Sequence, residues 1–163
     1  RRCRHRRLRA RLLLEVVDAC IDVWGADRVG LHLAPRGDAH TMGDSNPLAT
    51  FGYVAEQTGQ RRIAFLCARE HEGADSIGPQ LKKIFGGVFI ANEKFTKETA
   101  EAAINSGRAD AVAFGQQFIA NPDLPERFKL SAPLNAPDPA TFYAQGPKGY
   151  TDYPFLERAE AEA

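Results

Sequence analysis

Long hydrophobic runs are absent from the sequence, and cysteine is scarce. No apolar stretch approaches the roughly 18 residues that a transmembrane helix needs, and no pattern of a secretory signal is present. The three cysteines, Cys3, Cys20 and Cys67, are an odd number and form no CxxC pair. We therefore expect a cytoplasmic protein without a membrane partner or a metal site, in which Cys20 and Cys67 are buried thiols.

Common catalytic and nucleotide-binding motifs are missing as well. No GxGxxG follows a predicted strand, which argues against a dinucleotide-binding Rossmann domain, and the sequence has no nucleophile elbow and no Ser-His-Asp set. The polar segment 44–46 precedes Pro47, an order typical of a turn and a helix cap. His5, His40 and His71 each stand alone in a polar segment, where we expect solvated side chains.

Charge is unevenly distributed along a chain whose formal net charge is zero. Residues 1–11 contain seven arginines and no acidic residue, so the rest of the chain carries an acidic excess. Such an arm could bind nucleic acid or an anionic membrane, or direct the protein to an organelle. It lacks the hydroxylated residues of a transit peptide and the aromatic residues of a nucleic-acid platform, so nucleic acid is not the expected partner.

Helical and strand-like patterns alternate along the chain. Residues 9–24 predict an amphipathic helix with Gly25 as its left-handed C-cap; its apolar positions are Leu13, Val16, Val17, Cys20, Ile21 and Trp24. Short apolar runs predict four strands, at residues 28–34, 62–68, 88–91 and 111–114. The predicted helices between and after them cover residues 47–57, 76–85, 97–106 and 122–130, with Asn46 and Thr96 as N-caps and Gly59, Gly86 and Gly107 as stops.

The strands are nearly continuous apolar runs, which is typical of parallel strands covered by helices. We therefore predict an α/β fold. A doubly wound sheet and a barrel both fit this pattern, and the pattern does not choose between them.

Several longer stretches resemble the Old Yellow Enzyme family, in its bacterial branch of alkene and N-ethylmaleimide reductases. They are RARLLLEVVDACIDVWGADRVG (9–30), DSNPLATFGYVAEQ (44–57), IANEKFTKETAEAAINSGRADAVAFG (90–115), FIANPDLPERF (118–128), PDPATFY (137–143) and GYTDYP (149–154). The resemblance implies the C-terminal half, about four βα units, of a (β/α)8 TIM barrel. Residues 9–156 would form this FMN-binding half, after a non-family start at 1–8 and before a tail at 157–163.

The resemblance implies an FMN-dependent oxidoreductase. In this family NAD(P)H reduces FMN, and the flavin then transfers hydride to an activated alkene or a related small electrophile. The family's proton-donating Tyr and its substrate-binding His/Asn pair lie on an earlier strand that no segment here matches. We therefore expect no catalytic residue in this half, and we expect activity to require the other half. The substrate, and the choice between NADH and NADPH, stay open.

The resemblance also implies two single residues in the flavin and substrate site. His32 matches an Arg directed at the pyrimidine edge of the flavin, where a protonated imidazole would stabilise the reduced cofactor. The alternative is a neutral histidine that is hydrogen-bonded in the core. Tyr143 matches a residue that lines the substrate pocket, and the alternative is a tyrosine that packs the tail against the barrel.

Two loops are implied to bind the phosphate of FMN, since TIM barrels often bind phosphate after strands seven and eight. Their residues are Ala91, Asn92, Glu93 and Lys94 after the third strand, and Gly115 and Gln116 after the fourth. Many family members have Gly-Gly in place of Glu93-Lys94 and Arg in place of Gln116. An amide can donate to phosphate but cannot pair its charge, and Lys94 would compensate. Two ordinary βα turns are the alternative.

Two other functions remain possible from the sequence. A truncated chain without FMN would expose two sheet edges and self-associate through them. The arginine-rich start would alternatively bind anions or nucleic acid. The resemblance begins abruptly at Arg9. Just before that position the family has a Gly-Gly-Ser turn, whereas this chain has CRHRRL (3–8), and this favours a truncated or misread start over a nucleic-acid arm.

Overall fold

A computed structural model describes residues 2–36 and 43–157 of the chain, without the side chains of residues 2–6. The expectations for the side chains of Cys3, His5 and His40 therefore lie outside the described residues. The chain divides into two compact units, Arg1–Ala113 and Phe114–Ala163.

The first unit is a parallel sheet with helices between its strands. Its elements are α1 (Arg2–Trp24), β1 (Gly30–Leu33), α2 (Pro47–Gln60), β2 (Phe65–Arg69), α3 (Gly78–Phe85), β3 (Val88–Asn92), α4 (Lys97–Asn105) and β4 (Ala111–Ala113), with a 3-10 turn at Ala26–Arg28. The strand order is β1-β2-β3-β4, and every neighbouring pair is parallel. The predicted alternation of strands and helices is confirmed.

The two faces of this sheet differ in exposure. Side chains on one face are buried, since Leu66 is 0% and Phe89 is 2% exposed. On the opposite face Phe65 is 37% and Val88 is 50% exposed. We call this second face the open face, and it consists of Gly30, His32, Phe65, Cys67, Arg69, Val88, Ile90, Asn92, Ala111 and Ala113. Of these residues, Cys67 alone is buried. Apart from Cys67, the buried strand residues therefore lie on one side of the sheet.

Local capping rules account for two helix starts. The side chain of Asn46 accepts a hydrogen bond from Ala49 N–H at 3.1 Å, as expected of an N-cap. Thr96 and Thr99 form a reciprocal capping box at the start of α4. Gly86 ends α3 with a φ of 70°, a conformation that favours glycine. These predictions are confirmed.

The polar turn before α2 is also confirmed. The Thr50 hydroxyl donates to the Asp44 carboxylate at 2.7 Å, and Asn46 N–H donates to it at 2.7 Å. These bonds, that of Thr50 first, hold the pKa of Asp44 below its usual value. The segment is therefore a structural turn.

The predicted end of α2 at Gly59 is wrong, because the helix continues to Gln60. A Cβ on Gly59 would lie closer than 3.0 Å to the carbonyl oxygen of Phe85 at the end of α3. Glycine at this position therefore allows α2 and α3 to pack closely, and it does not stop the helix.

Helix α1 differs from the prediction in its start and in its buried stripe. It begins at Arg2 and continues through residue 9 without a break, because arginine, leucine and alanine favour helix. The buried stripe contains Ala10, Leu14 and Val17, whereas Trp24 is 60% exposed. Of the other predicted positions, Val16 is exposed and Leu13, Cys20 and Ile21 are partly buried. Gly25 has a positive φ of 84° but a ψ of 149°, outside the left-handed helical region.

The second unit contains two short helices, α5 (Gln116–Ala120) and α6 (Leu124–Leu130), and a 3-10 turn at Pro139–Thr141. Helix α6 was predicted. Helix α5 was not, because five residues without a side-chain cap give no periodic signal. Phe114 and Phe128 pack edge to face, with ring centroids 5.2 Å apart.

Candidate functional site

Polar side chains collect where the strands of the first unit end. The carboxyl ends of parallel strands lie at one edge of a sheet, which is where α/β proteins place their ligands. At this edge the open face carries His32 from β1, Arg69 from β2 and Asn92 from β3. This edge is the candidate site of the first unit.

His32 lies on the open face, beside Cys67 in the strand register. Its side chain is exposed, and no hydrogen bond to its ring is found within the described ranges. An exposed imidazole does not match the alternative of a histidine bonded in the core. Its role toward a flavin stays a prediction.

The loop after β3 has an unusual backbone. Asn92 Nδ2 donates to the carbonyl of Ala113 at 2.8 Å and so joins the ends of β3 and β4. Glu93 and Lys94 then follow with φ values of 96° and 59°. Residues other than glycine avoid positive φ, at a cost on the order of 1 kcal/mol each. Two successive residues therefore hold a backbone that glycine adopts freely.

The side chain of Glu93 is directed to the neighbouring strand. Its carboxylate accepts a hydrogen bond from Arg69 Nη2 at 3.2 Å. The Arg69 side chain is 51% exposed and that of Glu93 is 24% exposed. Lys94 is exposed. Neither Arg69 nor its pairing with Glu93 was foreseen, since only the loop residues were matched.

A buried carboxylate at the end of β2 was missed by the sequence reasoning. Glu70 is 5% exposed and accepts hydrogen bonds from Ser76 Oγ at 2.7 Å, Ile77 N–H at 2.9 Å and Gly78 N–H at 2.7 Å. It thereby caps α3 from the end of the preceding strand. An acidic residue directly after an apolar strand was the available signal.

Arg36 connects Glu70 to the loop after β2. Its Nε lies 3.7 Å from Glu70 Oε1, and its Nη1 donates to Asp75 at 2.6 Å. Its Nη2 lies 3.0 Å from Nε2 of His71, which is half-buried. The expectation of a solvated His71 is therefore wrong, because Arg36 brings its ring into this network.

The second unit contains a pocket of about 620 Å³. Small-molecule and cofactor sites range from about 300 to 1,000 Å³. The pocket is lined by Gly115, Gln116, Ile119, Thr141, Phe142, Tyr143, Ala144, Gly146, Gly149 and Tyr150. The structure thus brings together Gly115, Gln116 and Tyr143, which were predicted as parts of two different subsites.

Tyr143 has an exposed side chain and a strained backbone. It is fully exposed and has a φ of 90°. A ring that packs the tail would be covered, so this exposure argues against the packing alternative. At Gly115 a Cβ would meet nothing within 4 Å, so there is open space above the backbone.

Asn121 joins α5 to the following loop. It is 0% exposed, its Oδ1 accepts from Asn135 N–H at 2.7 Å, and its Nδ2 donates to the carbonyl of Gln117 at 2.8 Å. Asn135 in turn donates through Nδ2 to the carbonyl of Pro154 at 2.9 Å. The FIANPDL segment therefore anchors the chain on both sides of the pocket-lining residues.

Asp123 and Arg127 form a second anchor. Arg127 donates to Asp123 at 2.6 Å and to the carbonyls of Pro133 and Pro154 at 2.6 and 2.9 Å. Leu156 N–H donates to Asp123 at 2.6 Å. Desolvation acts to raise the pKa of Asp123, but the hydrogen bonds from Arg127 and Leu156 outweigh it and hold the pKa below its usual value. Their spacing of four residues was the signal in the sequence.

Residues 2–36 and 43–157 contain neither a metal-binding cluster nor a membrane-spanning helix. There, no group of three or more His, Cys, Asp or Glu side chains is arranged to hold a metal ion. None of the helices in those ranges combines the length and apolar character needed to cross a membrane.

Sequence comparison identifies relatives over nearly the whole chain. The profile of the NADH:flavin oxidoreductase / NADH oxidase family matches residues 5–135. The chain is 41% identical over 165 residues to 12-oxophytodienoate reductase 1 of Oryza sativa subsp. japonica. This alignment covers 95% of this chain and 43% of the reductase. It is 42% identical over 154 residues to the "Probable flavin mononucleotide-dependent alkene reductase" of Leishmania infantum, and that alignment covers 91% of this chain and 41% of the relative.

Solved structures give the same result. Morphinone reductase in complex with tetrahydroNAD matches with a TM-score of 0.88 and 43% identity, over 95% of this chain and 43% of that one. The old yellow enzyme homologue from Zymomonas mobilis matches with a TM-score of 0.86 and 40% identity, over 91% of this chain and 44% of the homologue.

This chain thus spans less than half the length of these four relatives. Their fold is the (β/α)8 barrel, so the predicted partial barrel is confirmed, and the choice between barrel and open sheet is settled. Because the family profile and the solved structures agree, the chain belongs to the NADH:flavin oxidoreductase / NADH oxidase family, which includes the old yellow enzymes.

Proposed function

We propose that this chain supplies the flavin-binding half of an FMN-dependent oxidoreductase. With the remaining part of the barrel, it would use NAD(P)H to reduce activated alkenes or related small electrophiles. The observation that carries the proposal is the match over 95% of the chain to morphinone reductase, a reductase whose structure holds a nicotinamide analogue. The alkene reductase from Leishmania infantum supports FMN as the cofactor.

The geometry of the predicted residues is compatible with FMN. The backbone of Glu93 and Lys94 has the positive φ values that glycine would provide in a close approach to phosphate. The space above Gly115 is open, and the pocket beside Gln116 is large enough for a flat heterocycle. These features support each loop by itself as a phosphate-binding loop, residues 91–94 in the first unit and Gly115 with Gln116 in the second.

Bound FMN would supply hydride transfer, and the side chains would set its surroundings. The imidazole of His32, when protonated, would stabilise negative charge on a reduced flavin. Tyr143, with its ring exposed at the pocket, would stack on a flat substrate. The proton that completes the reduction of an alkene would come from the part of the barrel that this chain does not span.

FMN binding tests the proposal directly. The purified chain is incubated with FMN, desalted, and examined by visible absorption, and FMN fluorescence quenching gives the dissociation constant. We expect a retained flavin band, and we expect Gln116→Arg to bind FMN roughly tenfold more tightly because a guanidinium pairs with the phosphate charge. Exposed Gln80 on α3 provides the control, Gln80→Arg. A colourless protein without quenching would refute the proposal.

The open face favours a second function, self-association of a chain that lacks the cofactor. Phe65 and Val88 expose apolar side chains there, and apolar surface of this kind favours association. In that case Val88→Asp lowers the mass measured by light scattering, whereas Ile104→Asp, at a 45% exposed position on α4, does not. A monomeric wild-type chain would exclude this function.

We also propose a cytoplasmic location, since Cys20 and Cys67 are free thiols, as is common in a reducing compartment. Recovery of the protein in a membrane or organelle fraction would contradict it.

A further inference from the structure

The Arg69–Glu93 ion pair lies at the carboxyl edge of the open face, next to the loop assigned to phosphate binding. Arg69 donates through Nη2 to Glu93 Oε1 at 3.2 Å, and half of its side chain is exposed. An ion pair this open to solvent contributes little to stability, because water screens it. Stability therefore gives a weak reason for a carboxylate at this position.

The backbone gives a second reason to look beyond stability. Glu93 has a φ of 96°, and the following Lys94 has a φ of 59°. Both residues hold conformations that glycine would adopt without strain. The loop thus carries the charged side chain of Glu93 at a strained position, and this side chain forms an ion pair with the guanidinium of Arg69.

We propose that Glu93 is an internal competitor for anionic ligands at this edge of the sheet. Its carboxylate holds Arg69, and a phosphate-bearing ligand binds by taking Arg69 from it. The inference rests on the proposed function, since the phosphate of FMN is the anion whose binding it would control. Glu93 then determines how strongly the chain distinguishes FMN from riboflavin.

The chemistry of the two side chains supports this competition. A guanidinium has five N–H donors in a planar fork, and the contact with Glu93 uses one nitrogen. Phosphate oxygens fit that fork in a bidentate manner, which a single carboxylate contact does not match. The exposed ammonium of Lys94 lies next to Glu93 in the chain and adds a second positive charge. Removing the carboxylate charge would leave both cations for the ligand.

The experiment compares FMN and riboflavin, which differ in the phosphate. Fluorescence-quenching titrations are run on the wild-type chain, Glu93→Gln, Arg69→Gln, the double variant, and Glu72→Gln as control. Glu72 also pairs with an arginine, Arg108, and its side chain is 37% exposed, against 24% for Glu93. Circular dichroism and thermal unfolding establish that each variant folds.

We expect Glu93→Gln to bind FMN roughly tenfold more tightly than the wild-type chain, with the affinity for riboflavin unchanged. Arg69→Gln binds FMN more weakly, and in that background the gain from Glu93→Gln is several-fold smaller. Glu72→Gln behaves like the wild-type chain.

The outcomes separate this inference from the proposed function. Equal FMN affinity of the wild-type chain and Glu93→Gln overturns the competition but leaves the proposed function standing. Tighter binding of both flavins by Glu93→Gln also overturns it, because the effect would not depend on phosphate. If Glu93→Gln binds FMN but the wild-type chain does not, the competition is supported and cofactor binding by the natural chain is refuted. If no variant binds FMN, both ideas fail.

Discussion

Replacing Gly59 with alanine tests how closely helices α2 and α3 pack. Alanine is the better helix former, by about 0.5–1 kcal/mol in a helix interior, so propensity alone predicts a more stable protein. The new Cβ would, however, overlap the backbone carbonyl of Phe85, which is part of a buried residue and cannot rotate away. Overpacking of this kind costs about 1–3 kcal/mol. We expect a net loss of about 1–2 kcal/mol in the free energy of unfolding.

Gly52 in the same helix is the matched control. A Cβ there would meet the side-chain ends of Ile84 at 3.3 Å and Leu48 at 3.9 Å, and these can shift. Gly52→Ala should therefore be neutral or stabilise the protein by up to about 1 kcal/mol. Urea unfolding followed by circular dichroism measures both variants. If Gly59→Ala is as stable as the wild-type chain while Gly52→Ala behaves as stated, the close approach of the two helices is wrong.

Two further predictions concern stability. Asn121→Ala should lower the free energy of unfolding by roughly 1–3 kcal/mol, because it leaves the buried partner groups of Asn121 without hydrogen bonds; thermal unfolding checks this, and an equal effect of Asn105→Ala, at an exposed position, would contradict it. The hydrogen bond from Lys82 lowers the pKa of Asp110 in the folded state, so its contribution to stability is complete above the unfolded pKa of about 4 and is lost as the pH falls through the folded value. Stability measured at pH 6 and pH 3 should therefore differ less in Asp110→Asn than in the wild-type chain, and an equal difference in both would refute the assignment.

Features that depend on a few neighbouring residues were predictable from the sequence. The caps at Asn46 and Thr96 need only a side chain within three residues of the helix start, and both are present. The four strands follow from short apolar runs, and their parallel order follows from the helices between them. The residue pattern fits both a barrel and an open sheet, and only the resemblance to a family predicted the barrel.

Features that depend on distant contacts were not predictable. The role of Gly59 requires the position of α3, which no local pattern contains. The bonds of Arg36 to Asp75 and His71 join the loops that follow two different strands. Glu93 and Lys94 break the local rule that glycine takes positive φ, so their backbone could not be derived from residue type.

The candidate site was predicted in its members but not in its arrangement. Gly115 and Gln116 were assigned to phosphate and Tyr143 to substrate, yet all three line one pocket. Their grouping results from the hydrogen bonds of Asn121, Asp123 and the residues around them, which return the tail to α5 and α6. The sequence did not predict these contacts, because the segment FIANPDL indicated only the family.

The anchoring of this tail has a consequence for how the pocket can change. Arg127 and Asn135 bind the backbone carbonyl of Pro154, and Arg127 also binds that of Pro133. Every residue type offers a carbonyl, so the anchors place few demands on the side chains of residues 139–150 between them. On the proposed function, that segment would be an exchangeable module, in which substitutions or grafts from relatives would alter substrate preference while the attachment to α5 and α6 is retained.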